Sequence, residues 1–298
     1  MENVSVQDIV HATGGVLLSG NSDALLNKIR LDSRQVEAGD LFVPIIGEKV
    51  DAHRFLPQVA ENGAGAVLTS EQNAKTEEME KTSCAWIAVD DTKKALQAVG
   101  RYLRKRLTLP IVGVTGSVGK TTTREMIAAA LSARYHVYKT LGNSNSQVGV
   151  PITVSEITKA DEVGVLELGM SEPGELTVIA QIAKPDMAVI TNIGITHIEQ
   201  LGSRENIYKE KMTIQDGLSD GGVLVLNGDD DMLQKTKGKD GVKTVYYGTS
   251  ENCDYRAVDL VLTDGKAEFT ALHGGKTQKI RLNVMGMHNV MNAMAALA

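Results

Sequence analysis

IVGVTGSVGKTTTREMIAAAL, residues 111–131, decides the fold. Its first five residues are almost purely apolar, as a strand buried on both faces of a parallel sheet should be. Gly116 and Gly119 follow, and the Lys120-Thr121-Thr122-Thr123 run opens a helix reaching Leu131. Glycines let backbone N–H groups close around phosphates, and a helix N-terminus adds partial positive charge. Lys120 is then expected to reach the β- and γ-phosphates and the Thr121 hydroxyl to ligate Mg²⁺. Gly116, Ser117, Gly119, Lys120, Thr121 and Thr122 make up the expected nucleotide cradle. One position departs from the general pattern: Val114 stands where a glycine is usual, with glycines at 113 and 116 instead. An ordinary strand, turn and helix with a surface lysine is the plainer alternative, but it leaves the coincidence of loop, Lys-Thr pair and helix unexplained.

Working outward, apolar strand runs alternate with helical ones: VGVLEL (163–168), GELTVIAQIA (174–183), MAVITNIG (187–194), SRENIYKEKMTIQDGL (203–218) and GGVLVLN (221–227). That alternation predicts βαβ units around a parallel sheet. The stretch 242–284 looks like a hairpin extension. Upstream, Ser5 caps a helix from Val6 to about Thr13, stopped by Gly14-Gly15. Short strands are expected at 41–47, 65–70 and 85–90, with a helix near 53–62 and an exposed loop or helix at 71–81. An amphipathic helix over 91–107 carries Leu96, Val99, Leu103 and Leu107 on one face. The expected architecture is α/β: a small mixed N-terminal domain at 1–90, then a P-loop domain at 91–298 with a mainly parallel sheet flanked by helices. The final helix, 288–298, stops without Gly cap, Pro or basic last turn, so more protein is expected to follow in the full gene product.

Composition narrows the function. Among 298 residues, 31 Lys+Arg against 37 Asp+Glu give a net charge of −6, which argues against a nucleic-acid binder. Aromatics at 4% offer few stacking platforms. Cys84 and Cys253 are too few for a disulfide framework and too far apart for a zinc site. No apolar run approaches the ~20 residues of a membrane span, and the N-terminus lacks a signal peptide's basic start and apolar core. A soluble, cytoplasmic chain without membrane insertion is expected.

Four further positions stand out. Glu167 ends a strand run and should emerge at the sheet's carboxyl edge, where ligands of such folds bind; beside a P-loop it is a metal-ligand candidate. His197 follows another apolar strand and should reach the same edge, although a lone His is more often structural. Lys211 shares a helical stripe with Ile207, Ile214 and Leu218, so it must pair with an acid, lose its charge or snorkel. Asn289 and Asn292 share one face of the last helix, either to read a base edge or to pin that helix to a neighbour. Asp229-Asp230-Asp231 reads as a solvated turn, and Met285, Met287, Met291 and Met294 as core filler.

Together these segments resemble the Mur ligases, the ATP-dependent amide-forming enzymes of peptidoglycan synthesis. VTGSVGKTTTREM (114–126), LELGMSEPGEL (166–176), TNIGITHIEQLGSRENIYKEK (191–211) and GMHNVMNAMAA (286–296) follow in family order. The family's P-loop also lacks the first general glycine, which accounts for Val114. DSRQVEAGDLFVPIIGEKVDAH (32–53) is similar to the family's domain for the UDP-sugar end of the substrate. Glu167-Leu-Gly with Gly174-Glu175, and Thr191-Asn-Ile-Gly ahead of His197, resemble the member that joins D-Ala-D-Ala to a UDP-N-acetylmuramoyl-tripeptide through an acyl phosphate. The resemblance implies ATP and Mg²⁺, with Thr121, Glu167, His197 and a carbamylated Lys211 serving the metal and Lys120 the phosphates. It implies adenine-side positions at Asn289 and Asn292. It also implies uridine-nucleotide contacts at Asp32, Ser33 and Arg34, peptide contacts at Asn143 and Asn145, a third domain beyond residue 298, and a monomer. Ser146 and Ala52 depart from the usual Asn and Gly. Two rivals are a family ligase with a different amino acid and a nucleotide-binding module without turnover.

Overall fold

Residue character sets the strand order. The computed structural model describes residues 1–70 and 79–298. Most of the 71–81 stretch expected as an exposed loop or helix, residues 71–78, lies outside the described residues. Two compact units emerge: Met1–Leu107 with Pro151–Thr158, and Thr108–Val150 with Lys159–Ala298.

The first unit contains β1 (Val4–Ser5), α1 (Val6–Thr13), β2 (Val16–Ser19), β3 (Leu25–Leu26), β4 (Ile29–Arg30), β5 (Leu41–Phe42), α2 (Leu56–Glu61), β6 (Ala66–Ser70), β7 (Ala85–Val89) and α3 (Thr92–Lys105). Its main sheet runs β2-β7-β6-β5-β4, parallel except at β2. α1 begins as expected, with Ser5 and Asp8 forming a reciprocal capping box, and ends at Gly14 in the left-handed region, φ 67°. The strand expected at 41–47 stops at Phe42, because Pro44 has no N–H to give a ladder. α3 packs with this first unit. Its Tyr102 hydroxyl donates to Asp8 at 2.6 Å, and the helix packs on α1, so the compact unit runs on to Leu107.

The second unit contains β8 (Ile111–Thr115), α4 (Lys120–Leu131), β9 (Val137–Lys139), most of the loop before α5 (Gly149–Glu156), β10 (Val163–Glu167), α6 (Glu175–Ala183), β11 (Met187–Ile190), α7 (Ile198–Leu201), α8 (Arg204–Met212), β12 (Val223–Asn227), β13 (Lys243–Gly248), β14 (Tyr255–Thr263), β15 (Lys266–His273), β16 (Lys276–Met285) and α9 (His288–Leu297). These strands form a nine-stranded sheet in the order β16-β15-β14-β13-β12-β11-β8-β10-β9. The pairs from β9 to β14 are parallel and the last two are antiparallel, so the hairpin extension starts at β14 and not at Val242. Fold class and the parallel centre match the sequence expectation. β8 lies between β10 and β11, with Glu167 opposite Val114 and Ile190 opposite Thr115. Strands about 4.8 Å apart therefore deliver three loops to one edge. α9 and α4 pack together over a core of Val114, Ile127, Val165, Val189, Val225, Val290 and Met294.

No described helix is long and apolar enough to cross a membrane.

Candidate functional site

The loop between β8 and α4 is held open by its glycines. A Cβ on Gly116, whose φ is 150°, would lie 1.8 Å from the Thr191 hydroxyl oxygen. Gly119 sits in the left-handed region at φ 81°. The loop is laced to the segment after β11. The Ser117 amide donates to the Asn192 carbonyl at 3.0 Å, and the Val118 amide to Asn192 Oδ1 at 3.1 Å. The Thr191 hydroxyl donates to the Val118 carbonyl at 2.7 Å, and the Gly194 amide to Ser117 Oγ at 2.8 Å. Ser117 thus spends its side chain on the scaffold. The amides of Gly119, Lys120, Thr121 and Thr122 have no hydrogen-bond partner among the described residues. A row of unpaired donors at a helix N-terminus is a ready anion site.

Lys120 folds back over this row, its ammonium donating to the Gly116 carbonyl at 3.0 Å. Burial pushes its pKa below the ordinary value of 10.5, and the Glu167 carboxylate pulls the other way. Thr121 and Thr122 are exposed at the helix start. The Thr121 hydroxyl donates to Glu167 Oε2 at 2.9 Å.

Glu167 is 3% exposed and takes three side-chain donors: Thr121, Asn145 Nδ2 on Oε1 at 2.8 Å, and Arg124 Nη1 on Oε2 at 3.2 Å. Burying a carboxylate is tolerable only with such compensation. Arg124, which also pairs with Glu125 at 2.7 Å, was not singled out from the sequence, because Glu167 lies 43 residues away from it. Asn145, expected on the peptide, turns its amide to Glu167; Asn143 is exposed, and its carbonyl accepts from the Asn145 amide at 2.8 Å.

Lys211 is buried, at 2% exposure, and does not snorkel; Ile207, Ile214 and Leu218 are buried too, although the helix expected over 203–218 ends at Met212 and continues as a 3-10 turn, Thr213–Gly217. Its ammonium has no hydrogen bond or ion pair among the described residues. Burial first, then the nearby Lys120 charge, push its pKa down to about 7, against a smaller pull from Glu210. Glu210, another residue the sequence reading missed, accepts from the Gly174 amide at 2.9 Å and the Leu176 amide at 3.1 Å, capping α6. His197 is exposed at the left-handed start of α7, φ 63°. Burial of its ring, Lys211 and Lys120 hold its pKa below 6.5, opposed by Glu175. Glu167, Lys120, Lys211 and His197 therefore belong to one electrostatic neighbourhood.

Among the described residues no group of three or more His, Cys, Asp or Glu is set for a metal ion. Mg²⁺ does not need one: it takes one or two carboxylates together with phosphates and waters. The hard oxygens of Thr121 and Glu167 beside the unpaired amide row fit that chemistry.

Asn289 and Asn292 are 6% and 7% exposed. Asn292 Nδ2 donates to Asn289 Oδ1 at 3.0 Å, and the Thr123 hydroxyl donates to Asn292 Oδ1 at 3.0 Å. Of the two alternatives for this pair, pinning the helix to a neighbour is what the contacts display. The three aspartates are not a merely solvated turn. Asp229 accepts from the amides and hydroxyls of Thr249 and Ser250, Asp230 from the Ile193 amide at 2.8 Å, and Asp231 pairs with Arg204.

In the first unit, Asp32 caps the 3-10 turn Ser33–Gln35 and takes Arg34 Nε at 2.9 Å and Nη2 at 2.7 Å. The Arg34 side chain holds the Asp32 carboxyl down to about 2. Ser33 is half-buried and Arg34 exposed.

Comparison with known proteins follows the same lines. A model described as Mur ligase middle domain matches residues 114–298, and one described as Mur ligase family, catalytic domain matches residues 26–103. The chain is 39% identical over 295 residues to UDP-N-acetylmuramoyl-tripeptide--D-alanyl-D-alanine ligase of Bacillus subtilis (strain 168), covering 99% of this chain and 63% of that protein. Against the ligase of the same name from Escherichia coli (strain K12), identity is 30%, covering 100% and 64%. A crystal structure of MurF from Acinetobacter baumannii superposes with a TM-score of 0.88 at 31% identity, covering 98% of this chain and 63% of that one. MurF ligase from Thermotoga maritima in complex with ADP gives 0.82 at 29%, covering 93% and 63%. The chain thus spans a little under two thirds of the relatives it matches.

Proposed function

The chain belongs to the Mur ligase family, and from that premise we propose that the whole protein is the ATP-dependent ligase joining D-Ala-D-Ala to UDP-N-acetylmuramoyl-tripeptide. The observation that carries this reading is the Thr121–Glu167 pair, 2.9 Å apart, beside Lys120 and a row of unpaired helix amides. The names of the relatives support the substrates.

The terminal carboxylate of the tripeptide attacks the γ-phosphorus of ATP. A P–O bond forms to the acyl oxygen, the bond to ADP breaks, and an acyl phosphate results. The D-Ala-D-Ala amine then adds to the acyl carbon, the C–O bond to phosphate breaks with its electron pair, and the amine gives up a proton. The chain's task is to hold crowded negative charge and keep the reacting oxygen in line. Lys120 and the amides of Gly119 to Thr122 hold the β- and γ-phosphates. Thr121 and Glu167 would hold one Mg²⁺, with His197 and Lys211 serving a second. Bound there, Mg²⁺ supplies Lewis-acid stabilisation of the phosphoryl and leaving oxygens. A pKa of about 7 leaves much of Lys211 as the neutral amine near neutral pH, the form that adds CO₂ with loss of one proton. The carbamate would return a negative charge beside Lys120.

The remaining expected contacts belong to this proposal: adenine near Asn289 and Asn292, the uridine nucleotide near Asp32, Ser33 and Arg34, and the peptide near Asn143 and Asn145. So do a UDP-sugar role for the first domain, a monomer, and a cytoplasmic location without nucleic-acid partners. The test is ADP release by the full-length protein. Release that requires both the UDP-muramoyl tripeptide and D-Ala-D-Ala, and that Lys120→Ala abolishes, supports the proposal. Release indifferent to the muramoyl peptide overturns it, and preference for another amine moves it to a different ligase of the family. The 298-residue chain is expected to bind Mg-ADP by calorimetry.

A further inference from the structure

Three side chains and one carbonyl form a directed hydrogen-bond relay behind the phosphate loop. The Met285 carbonyl can only accept, and Asn289 Nδ2 donates to it at 2.8 Å. That choice turns Asn289 Oδ1 toward Asn292, so Asn292 must present Nδ2, at 3.0 Å. Asn292 Oδ1 then faces the Thr123 hydroxyl, which donates at 3.0 Å. One terminal acceptor thus fixes the orientation of both amides. Thr123 is fully buried in the first turn of α4, and its own amide closes that turn on the Gly119 carbonyl at 2.8 Å. The same Asn292 oxygen lies 3.1 Å from where a Cβ on Gly119 would sit. Asn292 therefore touches both ends of the turn whose amides face the expected phosphates.

We infer that Thr123, Asn292 and Asn289 are positioning residues that brace the phosphate loop from behind, so that their loss weakens phosphate binding even by a ligand that has no base. The inference rests on the phosphate-binding reading above and deepens it. A brace of this kind keeps the unpaired amides converged before the ligand arrives, and its loss lowers the fraction of loops ready to bind. Each amide spends one donor and one acceptor on the relay and keeps one N–H and one lone pair outside it.

The experiment is calorimetry of the 298-residue chain with Mg-tripolyphosphate, which has no base, and with Mg-ADP. Thr123→Val keeps the shape of the side chain and removes the donor. It is expected to weaken both ligands by the same factor, about tenfold, the loss typical of one buried hydrogen bond. Asn292→Ala should weaken Mg-tripolyphosphate and, by at least as much, Mg-ADP, whereas Thr123→Ser should bind as the parent does. Thr123→Val and Asn289→Ala, which alter residues that do not touch one another, should combine to less than the product of their separate effects.

Several results overturn the inference: a loss confined to Mg-ADP, which would leave Asn292 a base reader only; no loss in Thr123→Val; or a lowered Tm with affinity intact, which would make the relay merely structural. If the parent chain binds neither ligand, the phosphate reading falls and this inference falls with it.

Discussion

Replacing Lys211 by methionine should stabilise the protein at neutral pH while disabling it. The side chain lies 2% exposed among Ile207, Ile214 and Leu218, with no partner for its charge among the described residues. In the unfolded chain the group titrates at its ordinary 10.5 and in the folded chain at about 7. Between those values the unfolded state holds a proton that the folded state has released, so stability rises with pH across this window. Below about 7 both states are charged and the full cost stands; above 10.5 neither is charged and the cost is gone. At about 1.4 kcal/mol per pH unit, the interval amounts to about 5 kcal/mol. Methionine fills a similar volume without the charge. Lys211→Met should therefore exceed the parent in stability by several kcal/mol at pH 6, and the gap should narrow steadily above pH 7. The measurement is hydrogen exchange of β11 and β12 amides in CO₂-free buffers, because the single Trp86 lies in the first unit and cannot report on the second. A gap that does not change with pH, or a methionine variant less stable at pH 6, would refute the reasoning. A site that retains a destabilising lysine gives up stability for function.

Three other outcomes follow from the same geometry. In Lys211→Met, the His197 imidazole loses a repelling charge, so its pKa should move up toward 6.5, as read by NMR titration; an unmoved value would detach the two groups. Gly116→Ala puts a Cβ where the Thr191 hydroxyl already sits, so it should cost about 2–3 kcal/mol and lower Mg-ADP affinity more than tenfold; parent-like binding would mean the loop is not held as described. Glu167→Gln leaves the buried Arg124 only Glu125 as a counter-charge, which should cost about 2 kcal/mol and remove Mg²⁺-dependent ADP binding; an unchanged Tm would show that Glu125 alone compensates Arg124.

The sequence exposed whatever is written locally. The strand, glycine loop and helix of 111–131 and the helix cap at Ser5 depend on neighbours within a turn or two, and the structure bears them out; the residues of the Lys211 stripe are buried as well, although α8 ends at Met212 and a 3-10 turn carries Ile214. The alternation of apolar runs gave the parallel centre of the sheet. What escaped depends on partners far along the chain. Arg124 and Glu210 carry charges that look solvated until the strand or helix they serve is placed beside them. Asn289 and Asn292 showed their common face, but only packing against α4 reveals that their amides face Thr123. Helix α3 read as the start of the second domain because its apolar stripe does not say which sheet it covers. β13 lies within the stretch 242–284 expected as a hairpin extension, although its register with β12 is parallel.

The relay also has a consequence for synthesis. Thr123 and Asn292 are separated by 169 residues. At about 5–20 residues per second, a ribosome would finish the loop roughly 10–30 s before making the amide that stands behind it. During that interval β8 and α4 have emerged without α9, so the nascent chain carries the phosphate-loop sequence well before it can carry a braced phosphate site. Nucleotide capture on the ribosome should therefore begin abruptly, when α9 emerges and docks.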